Sequence, residues 1–254
     1  MLQIRVIPCL LLKNDGLVKS IKFKDLRYIG DPINAVKIFS EKEVSELIFL
    51  DIMATRQNKR IPMDLIIKIA EESYMPFGIG GGIRSIDDIK NILYNGAEKV
   101  VINTAAVENP QLIKEASHIF GNQSIVVSID AKKKLTGNYE IFTRGGTSST
   151  GMEPLKHAIY MEEMGAGELM INSIDRDGTM QGYDINLIRQ IAEAVSIPVI
   201  ACGGAGKIED LAEAVNKGHA SAVAAGSFFI FHGPLRGILI NFPSKEELEK
   251  LFLK

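Results

Sequence analysis

The chain has 254 residues, 46% of them hydrophobic and 24% charged, with a formal net charge of −2. This is enough apolar material for a sizeable core, and the charge balance argues against a general nucleic-acid binder. Two cysteines make no disulfide framework, and no apolar run approaches the ~18 residues of a membrane span.

The amino terminus enters a strand-like run directly, without a signal peptide, so a cytoplasmic protein with reduced thiols is expected. Apolar runs of strand length recur at residues 4–12, 46–52, 76–80, 99–102, 124–130, 169–174, 198–201 and 221–225. Helical spacing fills the intervals at 32–44, 62–73, 86–94, 110–120, 154–164, 184–195 and 208–217, with a last segment near 244–253. Several of these helices open on Pro or a capping residue. Several are followed by glycine: Gly96, Gly121, Gly165 and Gly218. Strands too apolar to face water, each followed by a helix, imply a parallel sheet covered by helices. Eight such units predict one closed (β/α)8 barrel domain, residues 1–254. Glu46 and Glu168, Pro76 and Pro198, Gly81 and Gly203, Asp88 and Asp210, and Gly96 and Gly218 are each separated by 122 positions. This offset predicts two duplicated (β/α)4 half-barrels.

Two connections are long. Residues 13–31 carry Lys19, Lys22 and Lys24, and the segment is expected to act as a lid. Residues 131–151 hold a possible small hairpin at 139–143 and a Gly/Ser/Thr-rich tip. The basic cluster Lys132, Lys133 and Lys134 is a possible anion or partner site.

The fifth strand-like run ends on Asp130, which in a barrel would point into the mouth, where chemistry is placed. Glycine turns follow other strands: Gly81 and Gly82 after the third, Gly203 and Gly204 after the seventh. Asn103 and Thr104 follow the fourth, and Ala225 and Gly226 close the eighth. Glycines let backbone N–H groups approach an anion, and two such sites across one mouth suit a ligand with a phosphate at each end. His118, His157, His219 and His232 show no metal-ligand spacing, so no metal and no cofactor is expected. Cys9 and Cys202 read as buried small residues.

At this point the chain resembles a known family, the cyclase subunit of imidazole glycerol phosphate synthase. The carriers are Gly30-Asp31-Pro32, Phe49-Leu50-Asp51-Ile52, Gly80 to Arg84, Ile102 to Pro110, Ser128-Ile129-Asp130, Asp175 to Thr179 and Cys202 to Gly206. The resemblance implies a barrel that pairs with a separate glutaminase. It would draw ammonia through its core to a bisphosphate and release imidazole glycerol phosphate and a purine intermediate. It implies catalytic roles for Asp130 and Lys19, substrate contacts at Asp177 and Gly178, and an ammonia gate of Arg5, Glu46, Lys99 and Glu168. Glu98 would meet the glutaminase. The family's second acid–base carboxylate, at the end of the first strand, is replaced by Leu11. Positioned acid–base groups contribute ~10²–10⁴-fold, so cyclisation should be severely slowed or lost. The combination resembles a divergent branch associated with surface-polysaccharide genes. Members of that branch are thought to supply ammonia to a sugar amidotransferase making acetamidino groups. The alternative is a genuine imidazole glycerol phosphate synthase subunit.

Overall fold

The computed structural model describes residues 4–14 and 16–253. Eight parallel strands form the barrel: β1 (Arg5–Lys13), β2 (Leu47–Asp51), β3 (Phe77–Gly80), β4 (Lys99–Ile102), β5 (Ile125–Lys133), β6 (Glu168–Ser173), β7 (Val199–Cys202) and β8 (Ala222–Ala225). They pair in chain order. β8 returns to β1 through Arg5↔Ala222, and β5 meets β6 through Asp130↔Asn172, so the sheet closes without an edge. The helices are α1 (Pro32–Glu41), α2 (Met63–Glu72), α3 (Ile86–Tyr94), α4 (Gln111–Phe120), α5 (Pro154–Glu163), α6 (Ile185–Ala192), α7 (Ile208–Asn216) and α8 (Lys245–Phe252).

Their starts follow from local chemistry. Asp31 accepts the N–H of Asn34 at 2.9 Å, with Pro32 opening α1. Ser85 and Asp88 form a capping box at α3. Asp210 repeats the carboxylate half of that arrangement at α7, accepting the N–H groups of Gly206 and Lys207 at 2.8 and 3.1 Å. At α3, Asp88 accepts those of Arg84 and Ser85, both at 3.1 Å.

The two-residue pleat sorts strand side chains into two separate cores. Phe49, Phe77 and Ile79 point outward and pack with Phe39, Ile66 and Ile69 of the helices. Ile7, Ile48, Val126, Met170 and Ile200 point inward and fill the barrel.

The connection after β1 is a β-hairpin, with strands Gly16–Ile21 and Lys24–Gly30 continuing from the end of β1. The anticipated hairpin at Tyr139–Thr143 pairs antiparallel to β5. Two short helices, Thr104–Glu108 and Ser227–Ile230, follow β4 and β8 and were not anticipated. They are too short to show a helical period in sequence. No described helix is long and apolar enough to cross a membrane.

Phe49 is fully buried between barrel and helices. Phe49→Ala should destabilise the fold by about 3–5 kcal/mol through lost burial and a residual cavity. Urea unfolding of the two proteins measures this, and a difference below about 1 kcal/mol would mean the wall can collapse around the gap.

Candidate functional site

At the amino ends of the strands, Arg5, Glu46, Lys99 and Glu168 meet as a closed ring. Arg5 reaches Glu46 at 2.5 Å and Glu168 at 3.0 Å. Lys99 reaches the same two acids at 3.0 and 3.1 Å. Burial alone would depress the Arg5 guanidinium, but Glu168 and Glu46 outweigh it and hold its pKa up. Each cation bridges both anions, so four charges share one half-buried spot without a net excess. Glu168 Oε2 is left buried with no hydrogen-bond partner among the described residues. Glu98 lies exposed beside the ring, and its carboxylate accepts the N–H of Phe77 at 2.8 Å.

Above the ring the interior is apolar. Gly78 also faces inward, since an added Cβ would touch Val101, Ile48 and Lys99 at 3.5–3.6 Å. A lining of this kind tolerates a small neutral molecule far better than a cation, whose desolvation has no counter-charge there. Cys9 and Cys202 close the apolar section as free, buried thiols.

At the carboxyl ends the barrel opens into a cleft. Leu11, Lys19, Asp130 and Asp177 line it, as do Gly81, Gly82, Asn103, Thr104, Gly178, Gly203, Gly204 and Gly226. The structure thus brings nearly all the sequence-derived mouth residues together. Ala225 is the exception: it ends β8 buried in the sheet, opposite Pro8, and Gly226 after it reaches the cleft.

Asp130 is buried, and that burial, reinforced by Asp177, raises its pKa to about 7 against hydrogen bonds from Ser128 and Asn172. A carboxyl group that titrates near neutrality can both donate and accept a proton under working conditions. Lys19 lies in the hairpin with its Nζ donating to the Cys9 carbonyl at 2.6 Å, and burial pulls its pKa down. Asp177 accepts from Ser20 Oγ at 2.7 Å and from the N–H of Phe23 at 3.4 Å, while its own carbonyl accepts Lys22 N–H at 2.9 Å. In this arrangement Asp177 fastens the hairpin over the mouth. Gly178 makes that contact possible, because a Cβ there would lie 1.9 Å from the Ser20 carbonyl oxygen. Leu11 presents an apolar side chain to the cleft, on the strand next to Leu50.

The glycine turns are close packed. A Cβ on Gly81 would meet Asp51 O at 2.5 Å, and one on Gly204 would meet Gly182 O at 2.2 Å. The left-handed backbone at Gly82 (φ 70°) and Gly203 (φ 82°) also favours glycine. Thr104 Oγ1 accepts the N–H of Arg144 at 3.0 Å, tying the loop after β5 to the turn after β4.

Sequence reasoning passed over Asn172, Ser128, Arg56 and Arg144, all of which line the cleft. For Asn172 a signal existed: it alternates in phase with Glu168 and Met170, so it must face inward. Among the described residues, no group of three or more His, Cys, Asp or Glu side chains could hold a metal ion.

The raised pKa of Asp130 carries a sign that can be checked. An unfolded Asp titrates near pH ~4, so between about pH 4 and about pH 7 the folded chain holds a proton that the unfolded chain releases. Stability should therefore fall across that window as pH rises. Asp130→Asn removes this titration and should gain on the parent progressively from about pH 4 to about pH 7 in urea midpoints, with no further gain above that. A pH-independent difference would place the Asp130 pKa in the ordinary range.

The sequence matches the family described as Histidine biosynthesis protein over residues 5–235. It is 49% identical over 249 residues to a Pseudomonas aeruginosa (strain PAO1) protein provisionally named imidazole glycerol phosphate synthase subunit hisF2, covering 98% of this chain and 99% of that one. It is 46% identical over 256 residues to a Leptospira interrogans protein provisionally named imidazole glycerol phosphate synthase subunit HisF, covering 99% and 100%. With a closed (β/α)8 barrel and a mouth built on Asp130, the chain belongs to the histidine biosynthesis protein family and is a HisF-like member of it.

Proposed function

We propose that this chain is the ammonia-conducting subunit of a glutamine-dependent complex of the imidazole glycerol phosphate synthase type. A HisH-like glutaminase docks at the amino face, where Glu98 is exposed beside the ring of Arg5, Glu46, Lys99 and Glu168. Ammonia enters at that ring, crosses the apolar interior and emerges between Cys9, Cys202 and Asp130. The observation that carries this reading is the vertical order of the barrel: a ring of paired charges, then an apolar lining, then a polar mouth. Glycine turns after β3 and β7, with Asn103, Thr104 and Gly226 beside them, form two cradles for a phosphorylated ligand. The matching cap geometry at Asp88 and Asp210 supports reading the two halves as copies of one (β/α)4 unit.

The ammonia's destination turns on Leu11. With Leu11 at the end of β1, Asp130 has no carboxyl partner from that strand and the mouth lacks the paired acid and base of a cyclase, so ammonia passes to a sugar amidotransferase making acetamidino sugars for surface polysaccharide in the cytoplasm. The second reading is a genuine cyclase acting on the phosphoribulosyl bisphosphate. It is favoured by Asp130 titrating near neutrality and by Lys19 buried beside it in the same cleft.

Ammonia-dependent turnover of that bisphosphate by the purified chain separates the two, because excess ammonium removes any need for the glutaminase. The parent should show no robust turnover, and Leu11→Asp should gain on the order of 10²-fold or more by restoring a second carboxyl group. Robust parent turnover would establish the cyclase instead. In the reconstituted complex, Lys99→Ala should leave glutamine hydrolysis running while amination falls. Coupling that stays at the parent ratio would remove the channel.

A further inference from the structure

One side of the mouth carries more positive charge than the reading above uses. Arg56 comes from the turns after β2, Arg84 from the loop after β3 and Arg144 from the loop after β5, and all three line the cleft beside Gly81 and Gly82. Arg144 is paired with Glu108 at 2.7 Å. Arg56 and Arg84 have no carboxylate partner among the described residues. Arg56 instead donates to two neutral carbonyls, Arg144 O at 3.0 Å and Gly145 O at 2.5 Å. Arg84 donates to the amide oxygen of Asn58. Asp51 is the other acid on this side, and its Oδ1 is turned back onto the N–H groups of Met53 and Ala54 at 2.9 and 3.0 Å. The opposite side of the cleft offers one lining cation, Lys19, with Asp177 close by.

A guanidinium held on neutral carbonyls keeps its full charge, and its planar fork matches paired phosphate oxygens. The glycine turn with its backbone N–H groups already suffices for a single phosphate. Two further forks exceed that need and call for a second anionic group next to the first. We propose that the β3–β4 side of the mouth binds a diphosphate ester, gripped by Arg56 and Arg84, while the β7–β8 side takes a single phosphate. This rests on the twin-cradle reading given above and adds an orientation to it: the more highly charged end of the ligand lies against β3 and β4.

Calorimetric titration of the purified chain with inorganic phosphate and with pyrophosphate tests this. Pyrophosphate should bind about tenfold more tightly, the worth of one added charge-assisted hydrogen bond. The preference should vanish in the paired Arg56→Ala, Arg84→Ala variant and persist in Lys37→Met, which alters an exposed cation of α1 outside the cleft. Since Arg56 also braces the loop after β5, the phosphate affinity remaining in the paired variant reports whether the barrel is intact. Equal affinity for the two anions, or a preference that survives in the paired variant, would overturn the clamp and leave the twin cradles standing. Failure of either anion to bind the parent would overturn both.

Discussion

The pleat of eight parallel strands in a closed barrel is the constraint on which the rest depends. Successive residues must point to opposite faces, and closure denies the inner face any solvent except at its two ends. Each strand therefore carries a column of inward side chains from floor to mouth. On β1 the column is Arg5, Ile7, Cys9 and Leu11; on β4 it is Lys99 and Val101, with Asn103 just beyond; on β6 it is Glu168, Met170 and Asn172. A slip of one residue in any pairing would turn these columns into the helix layer and send leucines and isoleucines inward. The register of the sheet, rather than any loop, fixes the sequence of environments met along the barrel axis.

The two ends of that axis solve the problem of buried charge in opposite ways. At the floor, two cations and two anions interlock, each with partners of opposite sign within about 3 Å. At the mouth the charged groups are not matched in this manner. Burial pushes the carboxyl groups of Asp130 and Asp177 toward the protonated form, with Asp177 adding to the effect on Asp130, and burial pushes Lys19 toward the neutral amine. A floor of this type is a fixed structural element. A mouth of this type holds protons loosely, as acid–base work requires.

Much of this was legible in the sequence, for a physical reason. Buried parallel strands are continuous apolar runs and their helices carry a clear period, so the unit count and barrel closure could be read directly. The residues that end strands, such as Asp130, Asn103 and Gly203, could be placed at the mouth by the same logic. Contacts between loops could not. Asp177, expected as a substrate contact and lining the cleft, also fastens the hairpin through Ser20 and Phe23, more than 150 positions away in sequence. Arg56 reaches carbonyls 88 and 89 positions away. Neither strand period nor helix capping encodes such pairings. The first long connection likewise showed its lysines but not its strand pairing, because its outer strand, Lys24–Gly30, is exposed and polar.

The fastening of the hairpin links these points. Lys19 sits on the inner strand of the hairpin, and Asp177 holds that hairpin down with a carboxylate that also raises the pKa of Asp130. Lifting the hairpin would admit water to the mouth and remove the desolvation that dominates all three shifts. Asp130 and Asp177 would then favour their anions and Lys19 its cation. The closed hairpin is thus what sustains the desolvation of all three groups. In this barrel the closure of the hairpin and the proton affinities of the mouth are set by the same few side chains.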